Sequence, residues 1–326
     1  MEKQERNFKN YLLLYTKGLG MGAADIVPGV SGGTIAFISG IYEELINSLR
    51  SFTPKNLKLL FSKGIGAFWK AINGNFLVAV VLGIGTSLVT LAKGVLYMLN
   101  EHPIVTWSFF FGLILISTIS VLKTIRKVNM PVFIGFGVGA VLAYLVTILS
   151  VAQTPNELWF IFVSGAVAIC AMILPGISGS FILLLMGKYE YILSALNNFK
   201  IAILAVFASG AIIGLLSFSH FLAWLLRKYH DISVALLAGF MFGSLNKVWP
   251  WKVQIDNVTG EMWPWSIAKF NDYTLSLSEK NFLPDTFQAQ TNVDSQFVWG
   301  LAAAVLAIVI FMTIETIGAK IGKNQN

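Results

Sequence analysis

Long apolar runs separated by short polar seams occupy most of the chain. The runs at 76–99, 104–122, 131–151, 199–226, 232–249 and 296–318 each come near the roughly 20 apolar residues that a spanning helix requires, and each predicts one membrane crossing. Two further apolar stretches, 11–49 and 158–196, are interrupted at their middles. The interruptions are Pro28-Gly29-Val30-Ser31-Gly32-Gly33-Thr34 and Pro175-Gly176-Ile177-Ser178-Gly179-Ser180. Proline and paired glycines cannot carry a helix through such a point, so each stretch predicts two arms joined by a break. The arms 11–27 and 33–49, rising ~1.5 Å per residue, reach about 25 Å, short of a ~30 Å hydrocarbon core.

The two breaks are copies of one motif, 147 positions apart. From Pro28 to Leu49 and from Pro175 to Leu196, nine of 22 aligned positions are identical, among them Gly40/Gly187, Tyr42/Tyr189 and Glu43/Glu190. Beyond the motif the repeat continues at an offset of 127, where Leu99, Gly112 and Ser117 fall on Leu226, Gly239 and Ser244. Broken helices at corresponding places in two halves of a membrane protein point to a substrate site at the repeat interface.

Charge then decides between a hairpin and a kinked crossing. Residues 50–75 carry Arg50, Lys55, Lys58, Lys63 and Lys70 and no acid, and the amino terminus carries Lys3, Arg6 and Lys9. Basic segments beside apolar runs are expected on the cytoplasmic side. Both ends of 11–49 therefore lie on one side, and the stretch is a re-entrant hairpin. Alternation along the crossings puts 158–196 in from the outer side, a polar insert 250–295 outside, and both termini in the cytoplasm. The expected fold is an all-α polytopic membrane protein built from two inverted repeats, 10–151 and 158–318, each a broken-helix hairpin followed by three transmembrane helices. Leu59, Leu60, Phe61, Ile65, Phe68 and Trp69 among the lysines of 50–75 suggest a helix lying on the inner leaflet, with a solvated loop as the alternative. Trp249, Trp251, Trp263 and Trp265 are expected to be interfacial anchors.

Composition adds little beyond this. Hydrophobic residues make up 56% and charged residues 12% of the chain, and the net charge of +7 is explained by topology rather than by nucleic acid, which is not expected as a partner. The polar stretch Met1–Asn10 has no cleavage-type pattern, so no removable signal peptide is expected. Cys170 is the one cysteine and cannot form an internal disulfide. No cofactor or metal is expected.

Candidate chemistry sits at the breaks. Helical arms that start after glycine-rich backbone present free N–H groups and a dipole favourable to anions. Pro28, Gly29, Ser31, Gly32, Gly33, Thr34, Pro175, Gly176, Ser178, Gly179 and Ser180 are the candidate substrate-binding residues, against the plainer reading that small residues only let helices pack closely. Asp25 precedes the first break, with Met172 as its counterpart; an acid at that depth is costly and is a functional candidate. Glu43 and Glu190 are further candidates for proton coupling, or are solvated acids at the interface. Lys93 and His220 coincide at the offset of 127 and form a candidate basic pair for an anionic headgroup, against the readings of a snorkelling lysine and a satisfied polar contact. Gly29-Val30-Ser31-Gly32 and Gly176-Ile177-Ser178-Gly179 also fit the G-x-S-G pattern of intramembrane serine proteases, but such chemistry needs a base beside the serine, and of His102, His220 and His230 only His220 falls within a crossing. An ion or anion transporter, or a channel with duplicated re-entrant loops, is the other alternative.

Ala23-Ala24-Asp25-Ile26-Val27-Pro28-Gly29-Val30-Ser31-Gly32-Gly33-Thr34 with Gly40-Ile41-Tyr42-Glu43, and Leu174-Pro175-Gly176-Ile177-Ser178-Gly179-Ser180 with Gly187-Lys188-Tyr189-Glu190, resemble the bacterial polyprenyl-phosphate transporter family. Leu245-Asn246-Lys247-Val248-Trp249-Pro250-Trp251 looks like the family as well, and the resemblance runs from about residue 10 to 320. It implies a plasma-membrane translocase, not an enzyme, that returns undecaprenyl phosphate from the outer to the inner leaflet for cell-envelope synthesis. Proton coupling is the expectation attached to the acids near the breaks.

Overall fold

A computed structural model describes residues 6–27, 30–149, 152, 154–256, 259–265 and 277–323. Pro28 and Gly29, both candidate site residues, lie outside the described residues, as does Asp272. The chain is mostly helical (75%).

The first interrupted stretch forms α1 (Phe8–Ile26), α2 (Gly32–Ile38) and α3 (Tyr42–Arg50), and the second forms α10 (Leu158–Ile173), α11 (Gly179–Leu185) and α12 (Tyr189–Asn197). Each expected second arm is therefore two short helices rather than one. The extra break falls at Gly40 (φ +74°) and Gly187 (φ +61°), a backbone region that glycine enters without a Cβ penalty. At the second copy the bend between α11 and α12 is 108°. Both stretches do fold back as hairpins. Arg6, before α1, donates from Nη1 and Nη2 to the two carboxylate oxygens of Glu44 of α3 at 2.7 and 2.6 Å, and the Lys17 Nζ donates to the Ser39 carbonyl at 2.7 Å. In the second copy the Lys188 Nζ donates to the Thr154 carbonyl and the Asn156 Oδ1, 2.8 and 2.7 Å away, just before α10 begins.

Between the hairpins, the basic segment forms α4 (Pro54–Ser62) and α5 (Ile65–Ala71), two short helices with no buried residue. Phe61 and Ile65 are largely exposed there, as helices lying on a leaflet surface would leave them. The expected crossing at 76–99 is interrupted at Leu91 into α6 (Gly74–Thr90) and α7 (Ala92–Glu101). The next crossings appear as α8 (Pro103–Leu122), α9 (Met130–Ile148), α13 (Ile201–Lys228) and the shorter α14 (His230–Ser244). By length and composition alone, α8, α9 and α13 can cross a membrane among the described residues, with up to five spans if the bent pairs α5–α6 and α11–α12 each count as one.

The polar insert departs from the all-α expectation. It contains β1 (Lys252–Asp256), β2 (Met262–Pro264) and β3 (Leu277–Asn281), paired antiparallel in the order β2-β1-β3 with Val253 opposite Pro264 and Lys280, followed by α15 (Pro284–Thr291) and then α16 (Phe297–Lys323). The expectation of tryptophan anchors is corrected for Trp251 and Trp265, while Trp249 and Trp263 are half-buried. Trp251 and Trp265 are buried, Trp265 stacks edge-on against Trp107 of α8, and Trp249 does the same against Phe111. Large aromatic surfaces are worth more inside a packed core than at its rim, and these rings glue the sheet to α8.

The internal repeat extends to individual backbone contacts. Helix α1 packs on α6, and α10 packs on α13. A Cβ at Gly18 would sit 2.4 Å from the Val80 carbonyl oxygen, and one at Gly165 would sit 2.2 Å from that of Phe207. Likewise a Cβ at Gly83 would meet the Tyr15 oxygen at 2.2 Å, and one at Gly210 that of Phe162 at 2.0 Å. Gly18 and Tyr15 correspond to Gly165 and Phe162 at the offset of 147, while Val80 and Gly83 correspond to Phe207 and Gly210 at 127. Side chains would drive these helices apart, so glycine is what permits both close approaches. Helices α8 with α16 and α9 with α14 close the rest of the bundle, and one core cluster runs from Tyr42 and Ile46 through Ile173 and Ile177 to Leu222 and Leu226.

Candidate functional site

The hairpin tips touch. The Ser31 hydroxyl lies 3.1 Å from the Met172 carbonyl oxygen and 3.4 Å from that of Leu174, to which it donates. The Gly176 N–H donates to the Thr34 Oγ1 at 2.8 Å, and the Tyr42 hydroxyl donates to the Ile173 carbonyl at 3.1 Å. Ser31, Thr34 and Tyr42 are all buried, so these bonds hold the tips away from water. Close approach is again a glycine property: a Cβ at Gly33 would lie 2.6 Å from the Ile173 oxygen, and one at Gly176 (φ +87°) 2.8 Å from the Phe240 oxygen. A helix break costs unpaired backbone groups unless protein receives them. Here side chains of the first tip receive the backbone groups of the second.

The first tip is capped by its own side chains. Ser31 is the N-cap of α2, and its Oγ accepts from the Gly33 N–H at 3.1 Å. Asp25, at the end of α1, accepts from the Gly32 N–H at 2.7 Å, while the Thr34 N–H donates to the Ser31 carbonyl at 2.9 Å. Among the described residues no lysine, arginine or histidine forms an ion pair with Asp25. A carboxylate thus occupies the place at the end of α2 where an anion would be held. At the second tip Met172 stands in the place of Asp25, Ser178 caps no backbone N–H of α11, and its hydroxyl lies 2.7 Å from that of Ser180.

The other candidates lie apart. Lys93 is exposed on α7, and His220 is exposed on α13 with its Nδ1 2.7 Å from the Leu216 carbonyl. Neither is brought to the tips among the described contacts. Glu190 is exposed in the first turn of α12. Glu43, in the first turn of α3, lies 3.2 Å from the His230 Nε2, whose Nδ1 is 3.2 Å from Asp231.

Three features escaped the sequence reading. Tyr42 bridges the tips, although its identity with Tyr189 marked it. Lys188, matched to Ile41 in the repeat, is buried where α11 turns into α12, and its Nζ faces the rings of Phe160 and Tyr191 at 5.5 and 5.8 Å. The third is a charge cluster under the insert: the Lys247 Nζ lies 2.8 Å from the Glu279 carboxylate and 4.3 Å from the centre of the Phe181 ring, and the Lys252 Nζ bonds the Lys247 carbonyl over the Trp107 ring. Burial drives Lys252 down to about 7. Burial pushes Glu279 up, but the charges of Lys247 and Lys252 outweigh it and hold the carboxyl below its ordinary value. Beside this cluster a largely apolar groove of about 530 Å³ runs between α8, α9, α14 and β3, lined by Phe111, Tyr144, Phe242 and Trp249 with Asn246 and Asn281 at its polar margin.

Comparison with known proteins bears on what this arrangement serves. Residues 21–263 match the family model described as VCA0040-like, undecaprenyl phosphate translocase-like. The chain is 44% identical over 314 residues to a polyprenyl-phosphate transporter of Vibrio cholerae, covering 95% of this chain and 98% of that one. It is 31% identical over 254 residues to a polyprenyl-phosphate transporter of Staphylococcus aureus, covering 72% and 84%. No solved structure matches.

Proposed function

Because the chain belongs to the undecaprenyl phosphate translocase-like family, we propose that it carries polyprenyl phosphate across the bacterial plasma membrane from the outer to the inner leaflet, through the junction of its two hairpin tips. The two repeats are inserted in opposite orientation, so that one hairpin enters from each side and both termini are cytoplasmic. Support for that orientation comes from the basic groups gathered where α3 and α13 end, Arg50, Arg227 and Lys228, since such clusters favour the cytoplasmic side.

The observation that carries the reading is the Asp25–Gly32 bond at the place where the tips meet. Asp25 and Ser31 hold the N–H groups of Gly32 and Gly33 that a phosphate would need. Protonation of Asp25, or its displacement by the more highly charged phosphate, releases those groups to the headgroup. Ser31, Thr34, Ser178 and Ser180 supply hydroxyls on either side, with Gly176 and Gly179 keeping the backbone close. One carboxyl thus alternates with the substrate for the same donors, which couples headgroup passage to a proton. Glu43 and Glu190, at matching places on the return arms, relay the proton towards either surface. The polyprenyl chain stays in lipid along the helices, and the apolar groove beside Asn246 and Asn281 suits it.

The test is translocation by purified protein in liposomes. Inward movement of a fluorescent polyprenyl phosphate, accelerated by an imposed proton gradient, is the expected result. Movement of a water-soluble anion without the lipid would make the chain an anion transporter or channel. A fluorophosphonate adduct on Ser31 or Ser178 alone would make it a serine hydrolase instead.

A further inference from the structure

Arg50 ends α3 and Arg227 lies in the last turn of α13. The two helices pack together, with Ile46, one turn before Arg50, and Leu226, next to Arg227, in the same core cluster. The Arg50 Nη1 is shielded from solvent and has no hydrogen-bond partner among the described residues. No carboxylate among the described residues forms an ion pair with either arginine.

The described acids near this end, Glu43, Glu44 and Asp231, are committed elsewhere. Glu44 holds Arg6 and accepts from the Asn73 amide at 2.8 Å. Glu43 and Asp231 flank His230, each 3.2 Å from a ring nitrogen, and Asp231 also accepts from the Lys127 N–H at 3.0 Å. Burial and the neighbouring positive charge of Arg227 both work against the charge on Arg50. An unpartnered, partly desolvated guanidinium beside a like charge is an expensive arrangement. It becomes favourable once an anion lies between the two, because planar guanidinium groups engage a phosphate through paired N–H donors.

We propose that Arg50 and Arg227 form a second phosphate-monoester site, apart from the tips, at the end of the molecule where α3 and α13 terminate. This deepens the transport reading and rests on it for one point only, that the phosphate arriving there is the headgroup of the carried lipid. The site takes the headgroup as it leaves the tips and holds it at the cytoplasmic surface. Lys228, whose Nζ lies over the rings of Trp224 and Tyr229 at 5.5 and 5.3 Å, adds positive field beside it without competing for the forked geometry.

The test uses the full protein in phosphatidylcholine nanodiscs and two probes, farnesyl phosphate and inorganic phosphate, with affinity read by calorimetry. Arg227 is exposed, so R227Q leaves the fold undisturbed. It is expected to weaken binding of farnesyl phosphate by roughly ten- to a hundredfold, as loss of charge-assisted bonds does. R227K, which keeps the charge and loses the fork, should fall between. Inorganic phosphate competing with farnesyl phosphate and losing affinity in step with it identifies the phosphate group as the ligand. Binding of farnesyl phosphate alone, weakened by R227Q, identifies a site for the lipid. Unchanged affinity for both probes in both R227Q and R50Q overturns the site. Translocation measured in parallel separates the two readings. Wild-type protein that moves no polyprenyl phosphate but loses phosphate binding in R227Q refutes the transport reading and leaves the site standing. Intact translocation with unchanged binding in both R227Q and R50Q removes the site alone.

Discussion

At the first hairpin tip the N–H groups of Gly32 and Gly33 are taken by the Asp25 carboxylate and the Ser31 hydroxyl. At the second, Met172 replaces the acid and the Ser178 and Ser180 hydroxyls bond each other. The same motif therefore supplies a tip whose donors are already satisfied and a tip whose hydroxyls pair among themselves. The contrast extends across the junction, where the first tip provides side-chain groups from Ser31, Thr34 and Tyr42 and the second provides backbone from Met172, Ile173, Leu174 and Gly176. A duplicated element need not divide its work equally. One copy carries an acid at its helix break, and the other offers the backbone against which the first packs.

The severest way to break this asymmetry is to separate the tips. Gly33→Val puts carbon against the Ile173 and Met172 carbonyl oxygens, 2.6 and 2.9 Å from even a Cβ. Overpacking of this kind costs about 1–3 kcal/mol or more, and translocation should be lost. Gly40→Ala provides the control, since a Cβ there meets nothing and only its positive φ is strained. It should cost about 1 kcal/mol in thermal stability and leave translocation measurable.

Next in size is the loss of a partner across the junction. Thr34→Val leaves the Gly176 N–H unpaired in a buried place, a penalty of about 1–3 kcal/mol. Ser180→Ala removes only one of two hydroxyls that satisfy each other and should cost less, about 1 kcal/mol. Equal effects of the two substitutions on unfolding midpoints would erase the proposed division between the tips.

Much of this contrast was legible in the sequence. Both breaks, their relation as copies, and the tip residues Ser31, Thr34 and Ser178 follow from one repeated string. The substitution of Met172 for Asp25 was visible too, but its consequence was not: the bond from Asp25 to Gly32 exists because α2 folds back beside α1. The second break within each hairpin was marked by Gly40 and Gly187, yet a lone glycine in an apolar run reads equally well as a packing residue. The sheet of the insert was hidden for another reason. Lys252–Asp256 alternates polar and apolar positions as a strand does, but over only five residues of a polar insert, and nothing local says that Lys252 is buried over Trp107. Only the tertiary fold puts Trp251 and Trp265 inside.

A smaller effect sharpens the comparison from outside the tips. Lys252 binds its proton less well folded, about 7, than the ordinary lysine value of 10.5. The unfolded chain therefore holds more protons between those values, so stability of the insert should rise as pH climbs from about 7 towards 10.5, and the penalty should be fully present below that window. K252M should abolish this slope. It should leave the insert as stable or more so at neutral pH, because the Lys247–Glu279 pair remains and a buried charge is gone. Thermal unfolding across that pH range is the check. If the pH response of translocation were set by the insert rather than by the first tip, K252M would flatten it too.

In the proposed mechanism the Asp25 carboxyl and the phosphate headgroup take turns at the Gly32 and Gly33 N–H groups. Initial rates of polyprenyl-phosphate translocation against pH, for wild-type protein and Asp25→Asn in the same liposomes, test it most directly. Asparagine keeps an acceptor for the Gly32 N–H but cannot gain or lose the proton. The rate should depend on pH in the wild type and stay flat in the variant, with headgroup binding retained. An unchanged pH profile in Asp25→Asn would contradict the mechanism.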